Sequence, residues 1–316
     1  MNAEPSDDLT PDDPTPLTNV RIMLQWIPQT QFAGYIMALE KGFFREEGLN
    51  VTLRWLKPGE AALVQLNKGD VEFATAVLLT ALHRRAEGMP LVNIAQFMQH
   101  SGSLLVARKD KNIHTLQDLN NKTILTWGAD FGLEFDLFLK RNNITPAKVL
   151  PLSASLAPFL YGLADATQAM EYGEYQRLLE RGMKPEEMIV FPFAQNKVNI
   201  VGDGLYTTCD YLQNHRQTAK AVRRAVLRGW DYAFAHETET IQCAMTYCDA
   251  MQVRSNLHYQ LTMLRNVRNL MRSHQGEEQA EWGTLSPQDF ENARSMVIEA
   301  GLPLQNERYE RFFQEP

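Results

Sequence analysis

Aromatic rings and carboxylates, more than metal ligands or nucleophiles, are the side chains of this sequence best placed to do chemistry. Trp26 stands at the carboxyl end of a predicted strand, the edge where open α/β sheets bind ligands. Its indole can stack on a flat heterocycle, although the same position suits a plain core tryptophan. Trp127 precedes the turn Gly128-Ala129-Asp130-Phe131-Gly132, where free N–H groups can hold an anion or a polar ligand atom; equally, the glycines can simply tighten the turn. Asp130 adds negative charge there and argues against a phosphate. Glu171 follows another predicted strand end. A carboxylate there can accept from an exocyclic amine and share a proton with a ring nitrogen, whereas it would repel a sulfonate. A solvated glutamate favoured by a helix dipole fits the same place. Tyr35, Tyr172 and Tyr175 are weaker aromatic candidates.

Other chemistries find no support. The seven histidines show no HExxH or comparable metal spacing, and neither a GxSxG elbow nor a GxxxxGK[ST] phosphate loop occurs. Gly202-Asp203-Gly204 reads as a turn with no Gly-rich loop after it. Cys209, Cys243 and Cys248 are an odd number and read as free thiols, because Cys243 and Cys248 are poorly spaced for a bridge. A net charge of -7 argues against a nucleic-acid face. No apolar run reaches the roughly 18 residues of a membrane-spanning helix. Neither metal nor cofactor is expected.

The elements that must position these residues alternate. Strands are predicted at 20–26, 50–56, 71–76, 91–97 and 104–108, with helices at 33–41, 60–68 and 78–87 between them. The first of these helices ends at Gly42, where a left-handed residue is needed. Gly34 and Ala38, four apart on that helix, suit close helix packing. Strands at 123–127, 149–152, 166–170 and 188–192 alternate with helices at 133–142, 156–163 and 174–181, and a strand at 205–208 follows. Such alternation implies parallel sheets covered on both faces. From 216 onward the pattern is helical, with Val222, Ala225, Val226, Gly229 and Trp230 on one face. The expected organisation is a flexible acidic, proline-rich leader at 1–18, a discontinuous first lobe at 19–108 plus 200–316, and a second lobe at 109–199. The polar stretch 109–114 is the expected first crossing. Two linkers between lobes permit hinge closure on a ligand. The leader lacks the apolar core of a secretory signal, and is expected to remain after an export signal or anchor is removed; a cytosolic protein is the other reading.

The segment Trp26-Ile27-Pro28-Gln29-Thr30-Gln31-Phe32-Ala33-Gly34-Tyr35, followed by Ala38, Lys41-Gly42-Phe43-Phe44, Glu47-Gly48-Leu49 and Val51, resembles the opening of the SsuA/thiamine-biosynthesis-like family. Gly69-Asp70-Val71, Gly88-Met89-Pro90 and Asp165-Ala166 extend the resemblance, which runs from about 20 to 300. It implies a type II periplasmic-binding-protein fold and a monomer that closes on one small molecule. The partner would be an ABC permease; an extracytoplasmic sensor fused to a signalling output domain is the alternative. The implied ligand-binding set is Trp26, Gln31, Tyr35, Trp127, Asp130, Glu171 and Tyr172. In pyrimidine-binding members a glutamate in the place of Glu171 pairs with an aminopyrimidine, which ranks a thiamin-precursor-like ligand ahead of sulfonates. The family also contains a pyrimidine synthase that uses a lysine and a histidine. Ala76 and Thr80 stand at those positions and can neither form a Schiff base nor supply an imidazole, so a non-catalytic protein is expected.

Overall fold

A computed structural model describes residues 16–57, 60–152, 155–272 and 282–316. Among the described residues there are ten strands: β1 (Thr18–Leu24), β2 (Leu49–Trp55), β3 (Phe73–Val77), β4 (Leu91–Gln96), β5 (Ser103–Arg108), β6 (Thr123–Thr126), β7 (Lys148–Pro151), β8 (Ala166–Met170), β9 (Met188–Pro192) and β10 (Asp203–Thr208). They form two five-stranded sheets ordered β2-β1-β3-β10-β4 and β7-β6-β8-β5-β9. In each, β10 or β5 runs antiparallel to both of its neighbours, and the remaining pairs are parallel. The expected α/β two-lobed fold is therefore present. Residues 1–15 of the expected leader lie outside the described residues, and β1 already begins at Thr18.

One boundary differs from expectation. The strand at 104–108 belongs to the second sheet, where Leu105 lies opposite Gln168 and Phe191. The chain therefore crosses at 97–102, ahead of this strand, and returns at 193–202. Burial patterns identify a strand but not its partners, and β5 is buried on both faces in either sheet. The stretch 109–114 instead opens a short 3-10 turn, Lys109–Lys111, within the second lobe.

The sheets are held by apolar packing on their faces. One cluster joins Val20, Ile22 and Leu24 of β1 to Ala33–Glu40 and to the Arg216–Ala235, Glu237–Ala250 and Leu257–Met271 helices. A second runs from Ala74 and Ala76 of β3 to Leu105 and Ile124 in the other sheet, so one apolar mass spans both lobes. A third covers the outer face of the second sheet through Leu104, Val106, Leu125 and Ala169. Burying such areas is the dominant favourable term in folding.

The helix–helix contact under β1 is unusually close. A Cβ on Gly229 would lie 1.9 Å from the Gly34 carbonyl oxygen and 2.9 Å from the Ala38 nitrogen. Trp230 packs on Gly34 so tightly that a Cβ there would meet its ring at 2.5 Å. Gly34 and Ala38 thus serve packing. This fixes the start of the helix that follows the Trp26 loop. No helix among the described residues is long and apolar enough to cross a membrane.

Candidate functional site

The loop after β1 carries Gln25, Trp26, Ile27, Gln29 and Gln31 into a cleft between the sheets, where the second lobe supplies Trp127, Phe131, Met170, Tyr172, Gly173, Glu174 and Arg177. Tyr259, from Leu257–Met271, completes this chamber, which holds about 690 Å³ of empty space including its mouth. Both contributing strands, β1 and β8, end at the cleft, as open α/β sheets place ligands.

A buried amide and carboxylate network shapes the first wall. Gln25 Nε2 donates to Asp203 Oδ1 at 2.6 Å, Gln31 Nε2 to Asp203 Oδ2 at 2.7 Å, and Gln29 Nε2 to Gln31 Oε1 at 2.6 Å. Burial drives the Asp203 carboxyl up to about 6 against the two amide hydrogen bonds. Asp203 is the first residue of β10, where the sequence suggests a turn. Its role is to fix the loop glutamines, and Gln31 is accordingly committed to Asp203.

On the opposite wall β8 stops at Met170 and a turn at 171–173 leads into the Glu174–Glu180 helix. Glu174 folds back so that one carboxylate oxygen accepts from the Met170 N–H at 3.0 Å. Burial pushes its carboxyl above the usual range, opposed by that hydrogen bond and by the Arg177 charge. Arg177 Nε donates to the Tyr259 hydroxyl at 3.0 Å, with the guanidinium 4.9 Å from the ring centroid. The contact ties the second lobe to the first at the chamber floor.

Of the expected residues, Trp26, Gln31, Trp127 and Tyr172 meet in this chamber. Asp130 lines a second chamber beside it, and Trp26 and Trp127 face both. Asp130 is ion-paired with Arg84 at 2.6 Å, and its carbonyl accepts from Thr80 Oγ1 at 2.5 Å. The adjoining glycine corner is a tight turn: Gly128 is left-handed at φ +62, its N–H reaches Thr126 Oγ1 at 3.3 Å, and the Phe131 N–H is spent on the Gly128 carbonyl. Tyr35 does not reach the cleft; it is 2% exposed and packs edge-on against Phe97 at 6.0 Å, because the helix face carrying it is locked onto the core. Glu171 lines neither chamber. Its N–H bonds the Gly102 carbonyl, and burial raises its carboxyl above the usual range. The cleft carboxylate is Glu174 instead. Tyr175 packs against the outer cluster. The signal for Glu174 is its place at the first helical position after Gly173.

Two further features bear on chemistry. Among the described residues no group of three or more His, Cys, Asp and Glu is arranged to hold a metal. All three cysteines are free, and the buried Cys248 thiol lies 3.2 Å from the Pro28 carbonyl behind the Trp26 loop. Burial pushes that thiol up to about 11.

With this geometry in view, comparison places the chain among known proteins. The family described as NMT1/THI5 like matches residues 29–240. A putative thiamine biosynthesis protein of Haemophilus influenzae is 30% identical over 72% of this chain and 73% of that protein. The putative binding protein YtlA of Bacillus subtilis is 27% identical over 68% of this chain and 66% of its own length, just under two thirds. A 4-amino-5-hydroxymethyl-2-methylpyrimidine phosphate synthase of Saccharomyces cerevisiae is 20% identical over 76% of this chain and 74% of the enzyme. Among solved structures, a protein of Bordetella bronchiseptica superposes with a TM-score of 0.75 at 15% identity, covering 94% of each chain. The periplasmic aliphatic sulphonate binding protein SsuA of Escherichia coli gives 0.68 at 13% identity, covering 94% of this chain and 92% of that one. These two structural likenesses establish the fold alone.

Proposed function

The chain belongs to the NMT1/THI5-like family, and on that premise we propose that it is the non-catalytic, extracytoplasmic substrate-binding component of an ABC importer. Its ligand is a planar amino heterocycle of the thiamin-precursor aminopyrimidine class. The observation that carries this reading is Glu174, a carboxylate raised by burial and set in a chamber walled by Trp26 and Trp127. Indoles offer a stacking surface for a flat ring. A carboxylate accepts from an exocyclic amine and shares a proton with a ring nitrogen. A sulfonate would meet this carboxylate at close range, while Arg177, the one cation lining the chamber among the described residues, spends its Nε on the Tyr259 hydroxyl. Ala76 and Thr80, both in the wall of the second chamber, support the non-catalytic reading, because neither side chain can replace a lysine or histidine.

Isothermal calorimetry with 4-amino-5-aminomethyl-2-methylpyrimidine and with an alkyl sulfonate tests the proposal. The pyrimidine is expected to bind and the sulfonate not. Glu174→Gln should weaken the pyrimidine by about 10- to 100-fold, the range for losing a hydrogen bond to a charged group. Glu171→Gln should leave it unchanged. Sulfonate binding that improves in Glu174→Gln, with no response to the pyrimidine, overturns the assignment.

A further inference from the structure

The ring site uses only one of the cleft's two chambers. The other holds about 640 Å³ of empty space including its open mouth, and is lined in part by Leu56, Ala62, Leu63, Ala76, Val77 and Leu152. Gln25, Trp26, Trp127 and Phe131 face both chambers, so a ring held against the indoles would have its substituents beside the second. Ala62, Ala76 and Thr80 are small residues in that wall, which is what leaves it roomy.

Its electrostatics are one-sided. No Lys, Arg or His lines it, and its ionisable lining groups are Glu60 and Asp130. The neighbouring Arg84 guanidinium is closed by Asp130 at 2.6 Å and by Glu87 at 2.8 Å. The adjoining turn spends the Gly128 N–H on Thr126 Oγ1 and the Phe131 N–H on the Gly128 carbonyl, and sets the Asp130 carboxylate beside the chamber. A phosphate entering here would bring about -1.5 to -2 charges with no counter-charge and would lose its hydration. Neutral or cationic groups face no such penalty, and the Thr75 and Thr80 hydroxyl oxygens can accept from them.

We propose that the second chamber receives a substituent arm of the ring ligand and selects for an uncharged or cationic arm against a phosphorylated one. The proposal rests on the ring reading above and narrows it: the ligand is an extended, unphosphorylated aminopyrimidine.

The test is calorimetry with three probes: 4-amino-2,5-dimethylpyrimidine as the bare ring, thiamin as the same ring bearing a cationic arm, and thiamin monophosphate. Thiamin is expected to bind at least about tenfold more tightly than the bare ring and about tenfold more tightly than its monophosphate, each tenfold step being about 1.4 kcal/mol. Ala76→Phe, which fills the chamber, should abolish the advantage of thiamin while leaving the bare ring within about twofold. Glu60→Lys, at a partly exposed position that puts no bulk into the core, should raise monophosphate affinity about tenfold. Monophosphate binding as tight as thiamin, or equal loss of bare ring and thiamin in Ala76→Phe, overturns the arm assignment and leaves the ring reading intact. No binding by any of the three overturns both.

Discussion

Both sheets place three parallel strands in the order second, first, third, and both then insert one antiparallel strand from the far side of a crossing, β10 in one and β5 in the other. Their coverings differ. The first sheet is packed under the long C-terminal helices, and the Ala33–Glu40 and Arg216–Ala235 helices cross with almost no clearance. The second is smaller, and its edge strand β7 is exposed throughout, with Val149 46% and Leu150 41% accessible. The lobe with the dense core holds the Trp26 loop through a buried network, while the lighter lobe carries Glu174 into the cleft. A shared strand plan therefore supports a division of labour, in which one lobe is a fixed platform and the other brings the charge.

The largest effect should come from one substitution made in both lobes. Gly229→Ala forces a methyl into the Gly34 backbone and should cost about 3 kcal/mol or more. Gly132→Ala, where a Cβ meets nothing within 4 Å, should change stability by under about 0.5 kcal/mol. Urea melts of the two variants check this, and equal losses would remove the contrast between platform and lighter lobe.

Next in size is the response to pH. Each lobe buries an acid: Asp203 at about 6 in the first, and Glu134 at about 7 in the second, the latter raised by burial against a 2.9 Å hydrogen bond from Ser103. A carboxyl raised in the folded state binds more protons folded than unfolded. Its contribution is complete below its unfolded value and is lost as pH rises through the folded one. Wild-type stability relative to Glu134→Gln should thus fall by up to about 3 kcal/mol between pH 4.5 and 8. A flat difference across that window would mean Glu134 is not protonated in the folded protein.

Smaller still is the aromatic pair. Trp26→Ala and Trp127→Ala remove one wall from each lobe, and each should weaken a planar ligand by about tenfold, a loss of about 1.4 kcal/mol. Unchanged affinity in either variant takes that lobe's ring out of the site. The smallest effect belongs to Arg84→Ala, which breaks the partly exposed Arg84–Asp130 bridge between lobes. It should cost under about 1 kcal/mol and enlarge the radius of gyration of the ligand-free protein in small-angle scattering.

Local patterning made every strand visible in the sequence, because apolar alternation and the glycines that stop helices are properties of the chain itself. Sheet membership of β5 was not legible, since it depends on pairing with β8 and β9 far along the chain. The site divides the same way. Trp26, Gln31, Trp127 and Tyr172 follow from strand ends and the opening motif. The choice of Glu174 over Glu171 turns on three residues of backbone after Met170, which no periodicity encodes. Tyr35 shares its motif with true cleft residues, yet one helical turn rotates it into the core. Asp203 reads as a bare turn in the sequence because its glutamine partners lie at the other end of the lobe's sequence.

The position of β10 between β3 and β4 has a consequence for how the chain reaches this state. During synthesis β3 and β4 are made long before the strand that must lie between them, and the whole second lobe emerges in the interval. Until Asp203–Thr208 arrives, each of those strands presents an open edge able to pair with a neighbouring chain. Closing the first sheet thus waits on contacts of high sequence separation, which form slowly. Aggregation of nascent or refolding protein should concentrate in that window, and a truncation ending before 203 should be the most aggregation-prone form of the molecule.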